Sequence, residues 1–236
     1  MSAERDTKNQ LKESIERMMK MEIELKYKVE DETKWKKLKH SSYLTQMMRE
    51  PFWEKRMLAV YYDTPEGHLR RMGAAYRVRL EGNQYVATIK RNKSKEEKGA
   101  SSRRLEWNVT QPDELPRPEM FLQGDIQSSD AMDLLVPILE LLKQYGVQEV
   151  GRTDFIRCGA ELQWKGIRVD LCLDKGHLCA NKRQASICEL ELELLEGTEQ
   201  ELKQFGEQCV ERYRLCPEPR SKYARILMLL DGKEVD

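Results

Sequence analysis

The segment ICELELELLEG, Ile187 to Gly197, alternates so strictly that it fits one local structure. In an extended strand successive side chains point to opposite faces, so Cys188, Leu190, Leu192 and Leu194 fall on one side and Glu189, Glu191 and Glu193 on the other. Same-face neighbours sit ~7 Å apart, and at an effective dielectric near ~20 each adjacent carboxylate pair repels by about 2 kcal/mol. Such a row needs cations nearby. Basic side chains across a sheet can supply them, and so can a divalent metal held by carboxylate oxygens.

The same alternation recurs along the chain. MEIELKYKVE, Met21 to Glu30, puts Glu22, Glu24, Lys26 and Lys28 on one face, with Lys28 at the rim. IRVDLCLDKG sets Asp170 and Asp174 against Val169, Leu171 and Leu173, and RRLEWNV sets Arg104 and Glu106 against Leu105 and Trp107. In AAYRVRLEGNQYVATIK a two-residue Gly82-Asn83 turn pairs Glu81 with Gln84, which places Arg79 opposite Val86, Arg77 opposite Thr88 and Ala75 opposite Lys90. Arg77, Arg79 and Lys90 then share a face, and guanidinium forks suit phosphate oxygens. An ordinary half-exposed sheet mixes in Thr, Ser and Gln; these polar faces are dominated by groups suited to metal or phosphate. A sheet closed into a barrel with its charged face inward would let acids hold cations and bases hold a polyanion, with helices covering the apolar outside.

Further strands are expected at about 56–63, 152–159 and 166–174, and helices at about 32–49, over SSDAMDLLVPILELLKQYG with Ser129 as cap and Pro137 as a kink, after Thr198 with a Thr198/Glu201 capping box, and after Pro219. Residues 1–20 read as an N-terminal helical extension with Leu11, Ile15, Met18 and Met19 on one face, and 21–236 as one domain. With 41 basic and 41 acidic residues, net charge points to neither nucleic acid nor an acidic partner. The six cysteines lack a CxxC pair, which argues against zinc; they read as small reduced core residues. No signal peptide, membrane span or GxxxxGK[ST] loop is present in the sequence, so a cytoplasmic protein without a P-loop or a membrane partner is expected.

Taken in order, Glu22-x-Glu24-x-Lys26, YYDT at Tyr61 to Thr64, Arg77-x-Arg79, Lys90, the acidic ELELEL run and the Ser221-Lys222 pair resemble the CYTH domain, the triphosphate tunnel metalloenzyme superfamily, over about residues 21–230. The resemblance implies an α+β fold: a closed eight-stranded antiparallel β-barrel with helices packed outside. It implies a small-molecule triphosphate substrate, with Mg²⁺ or Mn²⁺ as cofactor. The expected metal ligands are Glu22, Glu24, Glu189 and Glu191, with Asp170 and Asp174 in support. Phosphates would be bound by Lys26, Arg77, Arg79, Lys90, Arg104 and Lys222. The family also places an arginine after the central helix; Arg152 and Arg157 fall on opposite faces of a regular strand, so at most one points inward, and Arg157 is placed ahead of Arg152. Glu22, Glu24 and Lys26, with Glu106 or Glu193 orienting water, would form the catalytic set. The expected reaction is hydrolysis of inorganic triphosphate to pyrophosphate and phosphate. The alternatives are a class IV adenylyl cyclase, a nucleoside or thiamine triphosphatase, and a non-catalytic polyphosphate-binding module.

Overall fold

The computed structural model describes residues 19–92, 100–122 and 129–235. The expected helix in residues 1–20 lies outside this range except for its last two residues, which open a strand; the action of the Ser129 side chain also lies outside it. In chain order the elements are β1 (Met19–Lys28), α1 (Glu32–Lys39), α2 (Ser42–Thr45), β2 (Trp53–Asp63), α3 (His68–Arg71), β3 (Ala74–Glu81), β4 (Gln84–Asn92), β5 (Ser101–Gln111), a 3₁₀ turn (Pro118–Leu122), α4 (Ser129–Tyr145), β6 (Gln148–Trp164), β7 (Ile167–Ala180), β8 (Arg183–Glu196), α5 (Glu199–Tyr213), β9 (Cys216–Pro217) and α6 (Lys222–Leu230). Strands follow the order β5-β4-β3-β2-β6-β7-β8-β1, and β5 pairs again with β1, closing an eight-stranded antiparallel barrel; the short β9 adds to β1. Among the described residues no helix is long and apolar enough to cross a membrane.

Contacts divide the chain into two compact units. Of the described residues, one comprises 19–21, 59–92, 104–122 and 129–150; the other comprises 22–58, 100–103 and 151–235. Each has its own apolar cluster. In the first, Tyr76, Val78, Ala87, Ile89 and Trp107 from β3, β4 and β5 pack with Leu135, Ile138 and Leu142 of α4. The β3–β4 register is the one the turn dictates, with Arg77 opposite Thr88 and Glu81 opposite Gln84; Gly82, at φ 67°, supplies the left-handed backbone the turn requires.

In the second unit the apolar faces of β1, β6, β7 and β8, including Leu25, Ala160, Leu171 and Leu192, are covered by Trp35 and Leu38 of α1 and Leu202, Phe205 and Cys209 of α5. The helix expected over 32–49 is two helices, because Ser41 accepts the Leu44 amide at 3.3 Å and so starts a new one. The Thr198/Glu201 capping box is present, with Glu201 Oε2 accepting the Thr198 amide at 3.0 Å. Gly206 lets α5 approach β1 closely: a Cβ there would lie 2.5 Å from Leu25 Cδ1. α6 differs from these covering helices, since its first turn sends basic side chains to the ionic face.

Asp63, at the end of β2, is 1% exposed and accepts the amides of Thr64 (2.7 Å), Leu69 (2.9 Å) and Arg70 (3.0 Å). The YYDT motif is thereby a turn-forming device. Asp63→Ala strands three amides and is expected to cost about 2–3 kcal/mol, read as a lower midpoint in urea unfolding with an unchanged slope.

Candidate active site

In the second unit the ionic faces of four strands line up in cross-strand rows. Glu24 of β1 stands opposite Glu193 of β8, which stands opposite Asp170 of β7. The next row is Lys26, Glu191, Cys172 and Gly159; the third is Lys28, Glu189, Asp174 and Arg157. Antiparallel partners share a face, so a period-two charge pattern in each strand becomes a patch once the registers align. Glu22, Glu24, Lys26, Asp174 and Glu189 are all buried, whereas Lys28 is exposed.

The third row and its neighbour Glu191 form the tightest group. Asp174, Glu189 and Glu191 each offer a carboxylate oxygen within 4.8 Å of the others. Arg157 grips Asp174 with both nitrogens, Nε to Oδ1 at 2.7 Å and a terminal nitrogen to Oδ2 at 2.6 Å, and also donates to Glu191. Lys222 Nζ donates to Asp174 Oδ2 at 2.7 Å, to Glu191 Oε1 at 3.0 Å and to Glu189 Oε1. Arg225, one turn along α6, donates to Glu189 Oε2. Three acids thus meet three bases.

Burial disfavours charge on Glu191, but Lys222, Arg157 and Lys26 outweigh it and hold this carboxyl well below its usual range. Burial likewise opposes charge on Lys222, and Asp174, Glu189 and Glu191 more than offset it, raising its pKa far above that of an ordinary lysine. The ring of Phe155 lies beneath both cations, 4.9 Å from Lys222 Nζ and 5.6 Å from the Arg157 guanidinium.

Of the expected metal ligands, the structure brings Glu189, Glu191 and Asp174 together. Glu22 and Glu24 lie further along β1, where Ser102 Oγ donates to Glu24 Oε1 at 3.2 Å and Lys26 Nζ lies 3.7 Å from the same oxygen. Asp170 and Glu193 share the Glu24 row. Arg157 is inward and Arg152 is exposed, opposite Cys179, outside the cluster. The reading of the cysteines as core residues fails at Cys216, which is exposed, and is only half-met by Cys179 and Cys188; Cys172 is buried, but on the ionic face, its thiol 3.6 Å from Asp170 Oδ2, and burial pushes its pKa well up. Cys158 and Cys209 do belong to the apolar cluster. The sequence reading missed Phe155, Cys172 and Arg225; alternation along β6 and β7 marks the first two, and three-residue spacing from Lys222 marks the third.

In the first unit Lys90 Nζ lies 3.0 Å from Glu106 Oε2, Asn108 Nδ2 donates to Glu106 Oε1 at 3.0 Å, and Thr88 Oγ1 donates to Asn108 Oδ1 at 2.8 Å. Arg79 Nε donates to Glu81 at 2.6 Å. Arg104, opposite Asn92, is buried. For Arg77, burial opposes its charge, while Tyr61 and Glu106 favour it. Tyr61 thus serves the ionic face, whereas Tyr62 joins the apolar cluster.

Burial raises the pKa of Glu106, but Lys90 and Arg77 outweigh it and leave the carboxyl far below its usual range. A depressed native pKa contributes stability that is complete above the unfolded value, ~4.3, and is lost as pH falls through the native one. Glu106→Gln is therefore expected to lower the melting temperature at pH 7, with the difference from wild type shrinking only in acid below the ordinary carboxylate range. Melts of both proteins from pH 7 downward measure this.

The CYTH domain family model matches residues 20–226. An inorganic triphosphatase from Haemophilus influenzae is 26% identical over 147 residues, 62% of this chain and 38% of that protein, so the chain matches well under half the length of this relative. A Hippeastrum protein described as an adenylyl cyclase candidate with a dominant triphosphatase activity superposes with a TM-score of 0.58 at 19% identity, covering 91% of this chain and 98% of its own. A Bacillus halodurans protein described as an adenylate cyclase candidate gives 0.53 at 20% identity, covering 86% and 95%. These structures share the fold. The family match runs from β1 into α6, across every strand that carries the charged rows, and the chain belongs to the CYTH domain family.

Proposed function

We propose that the protein hydrolyses inorganic triphosphate to pyrophosphate and phosphate with a divalent cation, Mg²⁺ or Mn²⁺. The observation that carries this reading is the cluster of Asp174 and Glu189, both buried, and half-buried Glu191, interlocked with Lys222, Arg157 and Arg225. Its donor set fits such an ion: three carboxylates, hard oxygen ligands, with one oxygen each within a 4.8 Å span. When bound, the cation would neutralise charge on phosphate oxygens.

The protein's own groups have electrostatic and positioning tasks, because phosphoryl transfer asks little covalent work of the enzyme. Lys26, Arg157 and Lys222 bind phosphate oxygens, and Glu22 and Glu24, with Asp170, are assigned as further acids for the cation. In the first unit, Arg77, Arg79, Lys90 and Arg104 are assigned to phosphate on the family resemblance; Arg152, exposed, is left out. One carboxylate, Glu106 or Glu193, orients the attacking water. A carboxylate held as ionised as Glu106 is a poor proton acceptor near pH 7, so its part is orientation rather than proton abstraction.

Incubation with triphosphate, ATP and thiamine triphosphate, each with Mg²⁺ or Mn²⁺ and again with chelator, tests the proposal. It predicts phosphate release from triphosphate that stops with chelator. Cyclic AMP from ATP would assign a cyclase, preferential turnover of ATP or thiamine triphosphate an organic triphosphatase, and binding without turnover a non-catalytic module.

A further inference from the structure

The geometry points to Lys222 as an internal cation that holds the divalent-ion position and must vacate it when an ion binds, exchanging carboxylate for phosphate oxygens, a role that rests on the cation site proposed above. Its ammonium donates to one oxygen of each member of the carboxylate trio, Asp174 Oδ2 (2.7 Å), Glu191 Oε1 (3.0 Å) and Glu189 Oε1. An ammonium has three donors, and here all three are committed to the group that would ligate the ion. Arg225 takes another oxygen, Glu189 Oε2, while Arg157 takes Glu191 Oε2 and Asp174 Oδ1 and shares Asp174 Oδ2 with Lys222.

The three carboxylates already face Arg157, Lys222 and Arg225, with Lys26 also acting on Glu191, so a dication entering this group would leave an excess of positive charge unless a base moved. The guanidinium of Arg157 is fixed by its two-pronged grip on Asp174. Lys222 is the mobile one, a point charge on a flexible stem. It leaves with its charge, and Nζ already lies 4.9 Å from the ring of Phe155, whose aromatic face tolerates an ammonium. The displaced ammonium is then available to a phosphate oxygen, so that cation and polyphosphate favour each other's binding.

Calorimetric titration of Mn²⁺ into wild type, Lys222→Met and Lys222→Gln, each checked by thermal melt, tests this without turnover. Removing the competing charge is expected to tighten Mn²⁺ binding by about tenfold or more. Unchanged or weaker binding by the folded variants would overturn the role of Lys222 while leaving the cation site standing. Absence of Mn²⁺ binding in every folded protein would instead remove the cation site and this inference with it. In wild type, which needs no variant to fold, reductive methylation of Lys222 read by mass spectrometry should rise severalfold at saturating Mn²⁺; a rate that does not change contradicts the exchange.

Discussion

Glu191→Gln is expected to lower cation-dependent turnover of triphosphate by on the order of a thousandfold, because it replaces one of the three clustered carboxylates proposed to hold the cation with a neutral amide and leaves Arg157 and Lys222 short of compensating charge. The same substitution should destabilise the fold by about 1–3 kcal/mol. Judged from the run of three glutamates alone, the opposite sign follows, since removing one like charge relieves repulsion. The structure reverses it: Arg157 and Lys222 both donate to Glu191, so its loss leaves cations short of partners in a buried place. Steady-state kinetics with triphosphate and urea unfolding measure the two effects separately.

Arg157→Met carries the largest expected effect on stability, about 3 kcal/mol or more. It removes the paired hydrogen bonds to Asp174, which is 0% exposed, together with the bond to Glu191, and breaking one side of a buried ion pair strands the other. Arg152→Met, five residues earlier on the same strand but exposed, should change stability by less than ~0.5 kcal/mol. Equal losses in the two variants would contradict the assignment of Arg157 as the inward arginine.

The strands and the hairpin register were legible because their causes are local. A two-residue turn fixes every pair between β3 and β4, and a period-two pattern names the buried side of β1, β7 and β8. β6 was harder: expected at 152–159, it runs from Gln148 to Trp164, since Gly151, Gly159 and the polar Glu161 and Gln163 blur its alternation. The acids were legible too, and so were Arg157 and Lys222 as inward bases, but not that these bases pair with the acids. Whether a row of glutamates is answered by metal or by basic side chains depends on registers between strands distant in sequence. It depends as well on where α6 lands; Lys222 and Arg225 reach Glu189 from more than thirty residues away. Cys172 escaped notice because cysteine is usually a small buried apolar residue, and only the β7–β8 register shows it beside Glu191.

Anomalous diffraction from crystals of the protein soaked in Mn²⁺ tests the central claim most directly. The account predicts a manganese peak ligated by Asp174, Glu189 and Glu191, with the Lys222 ammonium withdrawn from those oxygens. A saturated crystal with no peak at this trio, its carboxylates still held by Lys222, would contradict it.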